Sequence, residues 1–432
     1  MLTEDELYLV LPYLRGQSIV NAMCTCRALY SVGLRLLLGS PIRLHEKQIE
    51  PFVRFILKDP ATYGPMLRDI SLINTSRSEC FDSAVVALIN KEFCDILNYS
   101  TNIRAFKVTN VAFSSSLDSV RPLVQKLFTL KTLQKLSLSC NPSRDSSNRA
   151  LQAAIEASIQ NALCSLTHLE ITHASGIALA SSWRAAFSRF SPTLKSLSIP
   201  ILLLGDITQP FPRLTTLNVW IMHFPSHRGY IPTTDIVHLF PRLRDLFIEG
   251  IVSRIPGEMV ACLELDHDFF RAKNTDRSVP QHRWPQLEHV ATRADTYYAL
   301  AVECPVRVLN LTYGGQILRK GRTSEIRQQS LFTVARQVIL SAQPHALKVA
   351  CGLEVEVCNL FAGILSESPQ LTHLEYNLCI LPTESIRSAD KLLVGNTFSL
   401  IRCAMILAAV YAPRTASFPS MTRVNVPSFA ST

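Results

Sequence analysis

One short apolar pattern recurs along most of the chain. It reads Pro-x-Leu-x-x-Leu-x-Ile, with close copies that begin at Pro192, Pro212, Pro241 and Pro369. Looser copies keep apolar residues at positions i, i+3 and i+5: Leu67/Ile70/Leu72, Ile103/Phe106/Val108, Leu133/Leu136/Leu138, Leu166/Leu169/Ile171, Leu287/Val290, Val306/Leu309/Leu311 and Met421/Val424/Val426. This spacing suits a turn that enters a short strand, because alternate side chains of a strand share a face. A long series of such copies is typical of a solenoid.

Between these copies the apolar period becomes helical. Leu117 to Leu130, Ala150 to Leu163 and Ser324 to Ala342 each carry apolar residues at spacings of three and four. Alternating strands and helices predict an α/β fold with a parallel sheet and helices on its outer face. Each crossover is expected to be right-handed. Stacked repeats would then share one continuous core.

The series resembles leucine-rich repeats of the longer, irregular type over roughly residues 60 to 430. The Asn or Cys that follows the strand in regular repeats is mostly missing, and Cys140-Asn141 is the best match. The resemblance implies a right-handed solenoid over residues 46–432. The alternative is an ordinary α/β domain with a few similar strands.

The first 45 residues do not follow the repeat. Thr3 is a suitable helix cap with acidic residues behind it, and a second helix is predicted from about Ser18 to Val32. The apolar face of the first helix comprises Leu7, Val10, Leu11 and Leu14.

This N-terminal stretch resembles an F-box, from Leu2 through Val10-Leu11 and Tyr13-Leu14 to Cys26-Arg27. It departs from the family pattern at Thr3, Asp5, Thr25 and Leu29. The resemblance implies an F-box-like helical domain over residues 1–45 that docks on a Skp-family adaptor, and through it on a cullin scaffold. The residues it assigns to adaptor binding are Leu2, Leu7, Val10, Leu11, Leu14 and Cys26. The alternative is a helical cap for the solenoid, which such folds need.

Two inserts between repeats are candidate binding segments, Met222 to Asp235 and Ile255 to Trp284. Insertions in solenoids project from one face, and aromatic residues with Arg are typical anchors of protein interfaces. The candidate substrate-binding residues are His227, Arg228, Tyr230, Phe269, Phe270, Arg271 and Trp284. The alternative is that these aromatic residues pack the insert against the body of the protein.

No catalytic or cofactor motif stands out. His223 and His227 are four residues apart, but Pro225 between them favours a loop over a metal-binding helix. There is no Gly-x-Ser-x-Gly elbow and no phosphate-binding glycine loop. We therefore expect no enzyme activity, no metal and no cofactor.

Composition limits the cellular setting. Twelve cysteines are scattered without a disulfide or zinc pattern, and no secretory signal precedes them, so cytosol or nucleus is expected. The apolar run from Leu392 to Pro413 is interrupted by Asn396 and Arg402, which favours a buried helix over a membrane span.

The sequence therefore leads to three hypotheses. The first is a substrate receptor of a cullin-type ubiquitin ligase, whose solenoid binds an unknown protein. The second is a leucine-rich scaffold without a ligase link. The third is a weak binder of nucleic acid or another polyanion, because the net charge is +9, although Arg319 to Arg322 is better interpreted as a solvated loop.

Overall fold

The computed structural model of the chain falls into two compact units. Unit 1 comprises residues 1–201 and 206–213, and unit 2 comprises residues 202–205 and 214–432. The structure describes residues 6, 11–14, 17–74, 83–111, 121–140, 155, 157–159, 161–172, 189–203, 209–225, 233–255, 258–260, 271–272, 274–275, 283–312, 323–351, 367–368 and 370–378.

Unit 1 begins with short helices and continues as a run of strands. Its helices are α1 (Gln17–Met23), α2 (Arg27–Gly39), α3 (Glu46–Ile56), α4 (Pro60–Tyr63), α5 (Ser83–Leu88), α6 (Cys94–Tyr99) and α7 (Arg121–Thr129), with 3-10 turns at Leu11–Tyr13 and Gly64–Met66 and a π-helical turn at Ile89–Phe93. Its strands are β1 (Ile42–His45), β2 (Asp69–Ile73), β3 (Ala105–Val111), β4 (Lys135–Cys140), β5 (His168–Thr172) and β6 (Ser196–Leu203).

The strands of unit 1 pair in sequence order, and each is parallel to the next. Their register places equivalent positions of the repeat opposite each other on neighbouring strands. Phe106 of β3 lies opposite Ile70 of β2 and Leu136 of β4, and Leu169 of β5 lies opposite Leu197 of β6. The apolar pairs from Ile70/Leu72 to Leu197/Ile199 are at most 3% exposed. The parallel α/β arrangement predicted from the repeat is therefore confirmed.

Polar side chains at the turns tie neighbouring repeats of unit 1 together. Asn102 donates its side-chain N–H to the carbonyl of Pro65 at 2.7 Å, and Thr132 donates its hydroxyl to the carbonyl of Ile103 at 2.8 Å. Thr193 bonds Leu166 in the same way at 2.8 Å. Each donor precedes the first apolar residue of its repeat, so this position satisfies turn carbonyls that the sheet leaves free.

Helical residues cover the apolar face of the unit 1 strands. Phe93 in the π-helical turn packs edge-on against Phe106 of β3, with ring centroids 5.9 Å apart. Helix α7 buries Leu123, Leu127 and two further residues, as its predicted stripe requires. Exposing any of these large side chains would cost roughly 1.5–3 kcal/mol, so this layer stabilises the unit.

Unit 2 repeats the same plan. Its helices are α8 (Thr233–Leu239), α9 (Ala294–Leu300) and α10 (Thr323–Ala342). Its strands are β7 (Thr216–Pro225), β8 (Asp245–Ile255), β9 (Glu258–Val260), β10 (Leu287–Arg293), β11 (Val306–Thr312), β12 (Ala346–Cys351) and β13 (His373–Leu378). Strands β7, β8, β10, β11, β12 and β13 are parallel neighbours in that order. Strand β9 instead pairs antiparallel with β8 and forms a hairpin.

One apolar position of the unit 2 repeat carries a polar residue. Thr292 of β10 lies opposite Ile248 and Leu311 in the two neighbouring strands. It is buried, and its hydroxyl has no hydrogen-bond partner among the described residues. Thr fits here because it has nearly the shape of Val, but the buried hydroxyl carries a desolvation cost.

Three local predictions are wrong. The helix expected from Ser18 to Val32 is two helices, because the Thr25 hydroxyl bonds the carbonyl of Ala22 and Cys26 is extended. Leu163, predicted to lie on the apolar face of a helix, is exposed and not helical, and its backbone N–H bonds the carbonyl of Phe128. His223 lies on β7 rather than in a loop, because β7 continues to pair with β8 beyond the repeat.

Some predictions stay open. The expected domain boundary after residue 45 coincides with the end of β1, whose residues already pair with β2. The apolar segment 392–412, the repeat at Met421 to Val426 and the basic cluster Arg319 to Arg322 lie outside the described residues.

Candidate functional site

A small apolar core holds the N-terminal helices together. Leu11 and Val32 are buried against each other, and partly buried neighbours surround them: Leu14, Ala22, Leu29 and Leu36. Two of the predicted adaptor-binding residues, Leu11 and Leu14, therefore pack inward. Leu2, Leu7 and Val10 lie outside the described residues. The remaining one, Cys26, is exposed just before α2.

Other apolar side chains of this region face solvent. Tyr13 is 87% exposed, Val20 of α1 is 39% exposed and Tyr30 of α2 is 43% exposed. The sequence pattern does not mark them as binding residues, because the apolar periodicity of a short helix does not show which face a neighbour covers. Exposed aromatic side chains are frequent anchors in protein interfaces, so these three residues are the better candidates for a docking surface.

Strand residues that alternate with the buried repeat positions form a second candidate surface in each unit. In unit 1 it carries Lys107, Lys135, His168 and Glu170, which are exposed or half-buried. The hydroxyl of Ser137 donates to the carboxylate of Glu170 at 2.6 Å. Burial lowers the pKa of His168, and the neighbouring positive charges of Lys135 and Lys195 lower it further.

The corresponding face of unit 2 differs, because its charged side chains are paired. The Asp245 carboxylate lies 2.7 Å from Nδ1 of His289 on the next strand and also accepts from the hydroxyl of Thr216 at 3.0 Å. Lys348 lies 2.8 Å from the Glu375 carboxylate. Cross-strand pairs of this kind stabilise neighbouring strands modestly.

Two of the predicted substrate-binding residues pack into unit 2. The ring of Trp284 is 3% exposed, and its indole N–H donates to the carbonyl of Phe240 at 2.8 Å. The guanidinium of Arg271 lies over the ring of Tyr298, 4.5 Å from its centroid. Both contacts use the surfaces that a partner would need, so here these residues anchor the insert, as the packing alternative proposed. His227, Arg228, Tyr230, Phe269 and Phe270 lie outside the described residues.

One residue from each of the two inserts caps helix α9, which is buried along its whole length. Asn274 donates to the carbonyl of Ala299 at 2.8 Å, and the hydroxyl of Thr233 donates to the carbonyl of Leu300. Because the last carbonyls of a helix lack partners within it, these side chains satisfy buried acceptors that would otherwise destabilise the unit.

A buried ion pair marks the start of α9. The Arg293 guanidinium bonds the Asp295 carboxylate through two N–H groups at 3.1 and 2.6 Å. The same carboxylate accepts from the backbone N–H of Thr296 at 2.7 Å. Two-point bonding of this kind is strong and directional, which favours a structural role for the pair.

The described residues contain no cluster of three or more His, Cys, Asp or Glu side chains able to hold a metal ion. Burial raises the pKa of the Cys164 thiol to about 12 and that of Cys304 to about 11. These thiols are poor nucleophiles near neutral pH, because the thiolate is the reactive form.

Within the described part of the chain, no helix is both long and apolar enough to cross a membrane. Comparison of the sequence with protein-family models and with curated proteins finds no match.

Proposed function

We propose that the chain is the substrate-recognition subunit of a cullin-type ubiquitin ligase. Its N-terminal helices would act as an F-box that docks on a Skp-family adaptor, and its strands and helices would form a right-handed leucine-rich-repeat solenoid that binds a substrate protein. The chain would work in the cytosol or the nucleus. It would perform no chemistry itself and would bring the substrate close to an enzyme bound elsewhere on the scaffold.

The observation that carries this proposal is the exposure of apolar side chains on short helices directly before a parallel repeat sheet. Val20 and Tyr30 lie on α1 and α2, which pack on each other through an apolar core. A helical pair that served only as a solenoid cap would turn polar residues to solvent. Apolar side chains on the outside favour a partner that covers them, at about 25 cal/mol for each Å² buried.

The test is binding of the purified chain to a purified Skp-family adaptor, measured by isothermal titration calorimetry. The variant is Val20→Asp with Tyr30→Asp, because these exposed side chains can be changed without opening the Leu11–Val32 core. A matched control is Leu163→Asp with Tyr99→Asp, which changes two apolar side chains of unit 1 that are 53% and 44% exposed.

We expect the wild type and the control to bind and the Val20/Tyr30 variant to lose binding while its circular dichroism spectrum is unchanged. No binding by well-folded wild-type protein would contradict the ligase proposal and favour a leucine-rich scaffold with a helical cap. Equal loss in both variants would show that Val20 and Tyr30 are not the docking residues.

A further inference from the structure

One row of cationic side chains crosses the exposed strand face of unit 1 and the turns that lead into it. We call it the basic stripe, and it consists of Arg68, Arg104, Lys107, Lys131, Lys135 and Lys195. All six are exposed. They come from four of five successive repeats, the β5 repeat contributing none, and the stacking of strands β2 to β6 brings residues 127 positions apart in sequence to one surface.

The backbone holds Arg68, Arg104 and Lys195 in line. The Arg68 carbonyl accepts from the N–H of Arg104 at 2.8 Å, and the Arg104 carbonyl accepts from the N–H of Gln134 at 2.8 Å. Gln134 and Thr167 continue the ladder with bonds of 2.8 Å each, the last of which is donated by Lys195. The positions of the charges across the strands are therefore set by the sheet rather than by flexible loops.

Five of the six cations lack a salt bridge to the part of the chain that the structure describes. Arg68, Arg104, Lys107, Lys131 and Lys135 form no salt bridge with any described residue. Strands β2 to β6 and the turns before them (residues 64–73, 100–109, 130–139, 162–172 and 191–199) contain only two acidic residues, Asp69 and Glu170.

Unit 2 shows that unpaired charge is not a general property of this repeat. Its strand face places Lys348 beside Glu375 at 2.8 Å and Arg307 near Glu288 at 3.4 Å. Arg307 and Lys348 occupy the same two repeat positions as Arg104 and Lys107, one and four residues after the first position of the pattern. At the corresponding positions of unit 1, Arg104 and Lys107 form no salt bridge with a described residue.

We propose that the basic stripe binds an extended, acidic segment of a partner protein. Four strand spacings of roughly 4.8 Å make the stripe about 19 Å long, the length of about six extended residues. Several carboxylates of such a segment would each meet a cation held at a fixed position. This inference rests on the proposed function in one respect, since it names the substrate class of the proposed receptor.

The chemistry of the face favours a protein segment over a nucleic acid. Apart from His168, the outward positions of β2 to β6 carry aliphatic, hydroxyl and charged side chains, including Ser71, Thr109 and Ser198, and no Phe, Tyr or Trp. Single-stranded nucleic acids are held largely by stacking of bases on aromatic side chains. Without such a platform the stripe offers charge and hydroxyl donors, which suit carboxylates.

The test is fluorescence anisotropy with the full-length chain and a fluorescein-labelled decapeptide of alternating Glu and Ser. We expect binding that weakens as salt rises from 50 to 300 mM, because exposed charges are screened over a shorter distance at higher salt. The variant Arg104→Gln with Lys107→Gln should weaken binding about tenfold, since each exposed ion pair contributes about two- to fivefold. The control Arg307→Gln with Lys348→Gln removes the same two charges in unit 2 and should bind like the wild type.

Three outcomes would overturn the proposal. Equal binding of a Gln-Ser decapeptide would show that acidity is not recognised. Equal loss in both double variants would show that net charge, and not the stripe, attracts the peptide. Tighter binding of a labelled ten-nucleotide oligothymidine that depends on Arg104 and Lys107 would assign the stripe to nucleic acid. Because the Val20/Tyr30 variant should keep peptide affinity, failure of adaptor binding and failure of peptide binding can be told apart.

Discussion

The indole N–H of Trp284 donates a 2.8 Å hydrogen bond to the carbonyl oxygen of Phe240, 44 residues earlier in the chain. Phe240 follows α8, and Trp284 precedes β10. The bond therefore joins the two ends of the segment that contains β8, β9 and the insert. Both side chains are buried. The contact closes the insert onto unit 2 at the point where the repeat resumes.

Trp284→Phe should therefore lower the free energy of unfolding by about 1–3 kcal/mol, because it removes this hydrogen bond and leaves a cavity. Urea unfolding followed by circular dichroism measures the change. Trp220→Phe is the matched control. The ring of Trp220 is 45% exposed, and its replacement should change stability by less than about 0.5 kcal/mol. Equal effects of the two substitutions would contradict the structural role of Trp284.

Arg293→Leu should lower the free energy of unfolding by about 3 kcal/mol, because it leaves the Asp295 carboxylate buried without its cation. Arg307→Leu removes a similar side chain from an exposed pair with Glu288 and should cost at most about 1 kcal/mol. Urea titrations of both variants give the comparison. The idea fails if Arg307→Leu proves as damaging as Arg293→Leu.

Thr292→Val should raise the free energy of unfolding by about 1 kcal/mol, since a methyl group replaces a buried hydroxyl that lacks a described partner. Thr312→Val on β11 is the control, because Thr312 is exposed and gains nothing from losing its hydroxyl. Thermal unfolding of both variants tests this. A loss of stability in Thr292→Val would indicate that the hydroxyl is satisfied in solution, for example by a buried water.

Native alkylation with iodoacetamide at pH 8 should modify Cys24 and Cys26 rapidly and leave Cys164 and Cys304 unmodified. Burial raises the pKa of Cys164 from 9.0 to about 12, so its folded form favours the neutral thiol. An acid whose pKa is raised by folding stabilises the protein below its unfolded pKa, and that stability is lost as pH rises from about 9 towards 12. Peptide mass spectrometry reads the labelling, and rapid native labelling of Cys164 would refute the placement of this thiol.

The strands were largely predictable because their signal is local. Leu136 and Leu138 are buried as expected, since a strand with one covered face needs apolar residues at every second position. The repeats at β1 and β12 were missed because Gly39 and Pro344 occupy the position where the pattern has its first apolar side chain. The register that places Leu347 opposite Leu309 shows that β12 belongs to the same series.

The candidate site was less predictable. Leu11 and Val20 are both apolar residues of short N-terminal helical segments, yet one is buried and the other is exposed. Which of them a neighbouring helix covers depends on packing that helical periodicity does not encode. Trp284 was a candidate interface anchor, yet it is buried, because the fold brings the carbonyl of Phe240 next to its indole N–H.

The sequence by itself determined the alternation of strands and helices and the residues that form the apolar layer, because both depend on spacings within a few positions. Only the tertiary structure decided which charges find partners. Lys348 lies beside Glu375 after an intervening crossover, while Arg68, Arg104, Lys107, Lys131 and Lys135 of the basic stripe form no salt bridge with any described residue. Such neighbours are set by the register between strands far apart in the chain, and no local pattern specifies that register for the outward-facing side chains.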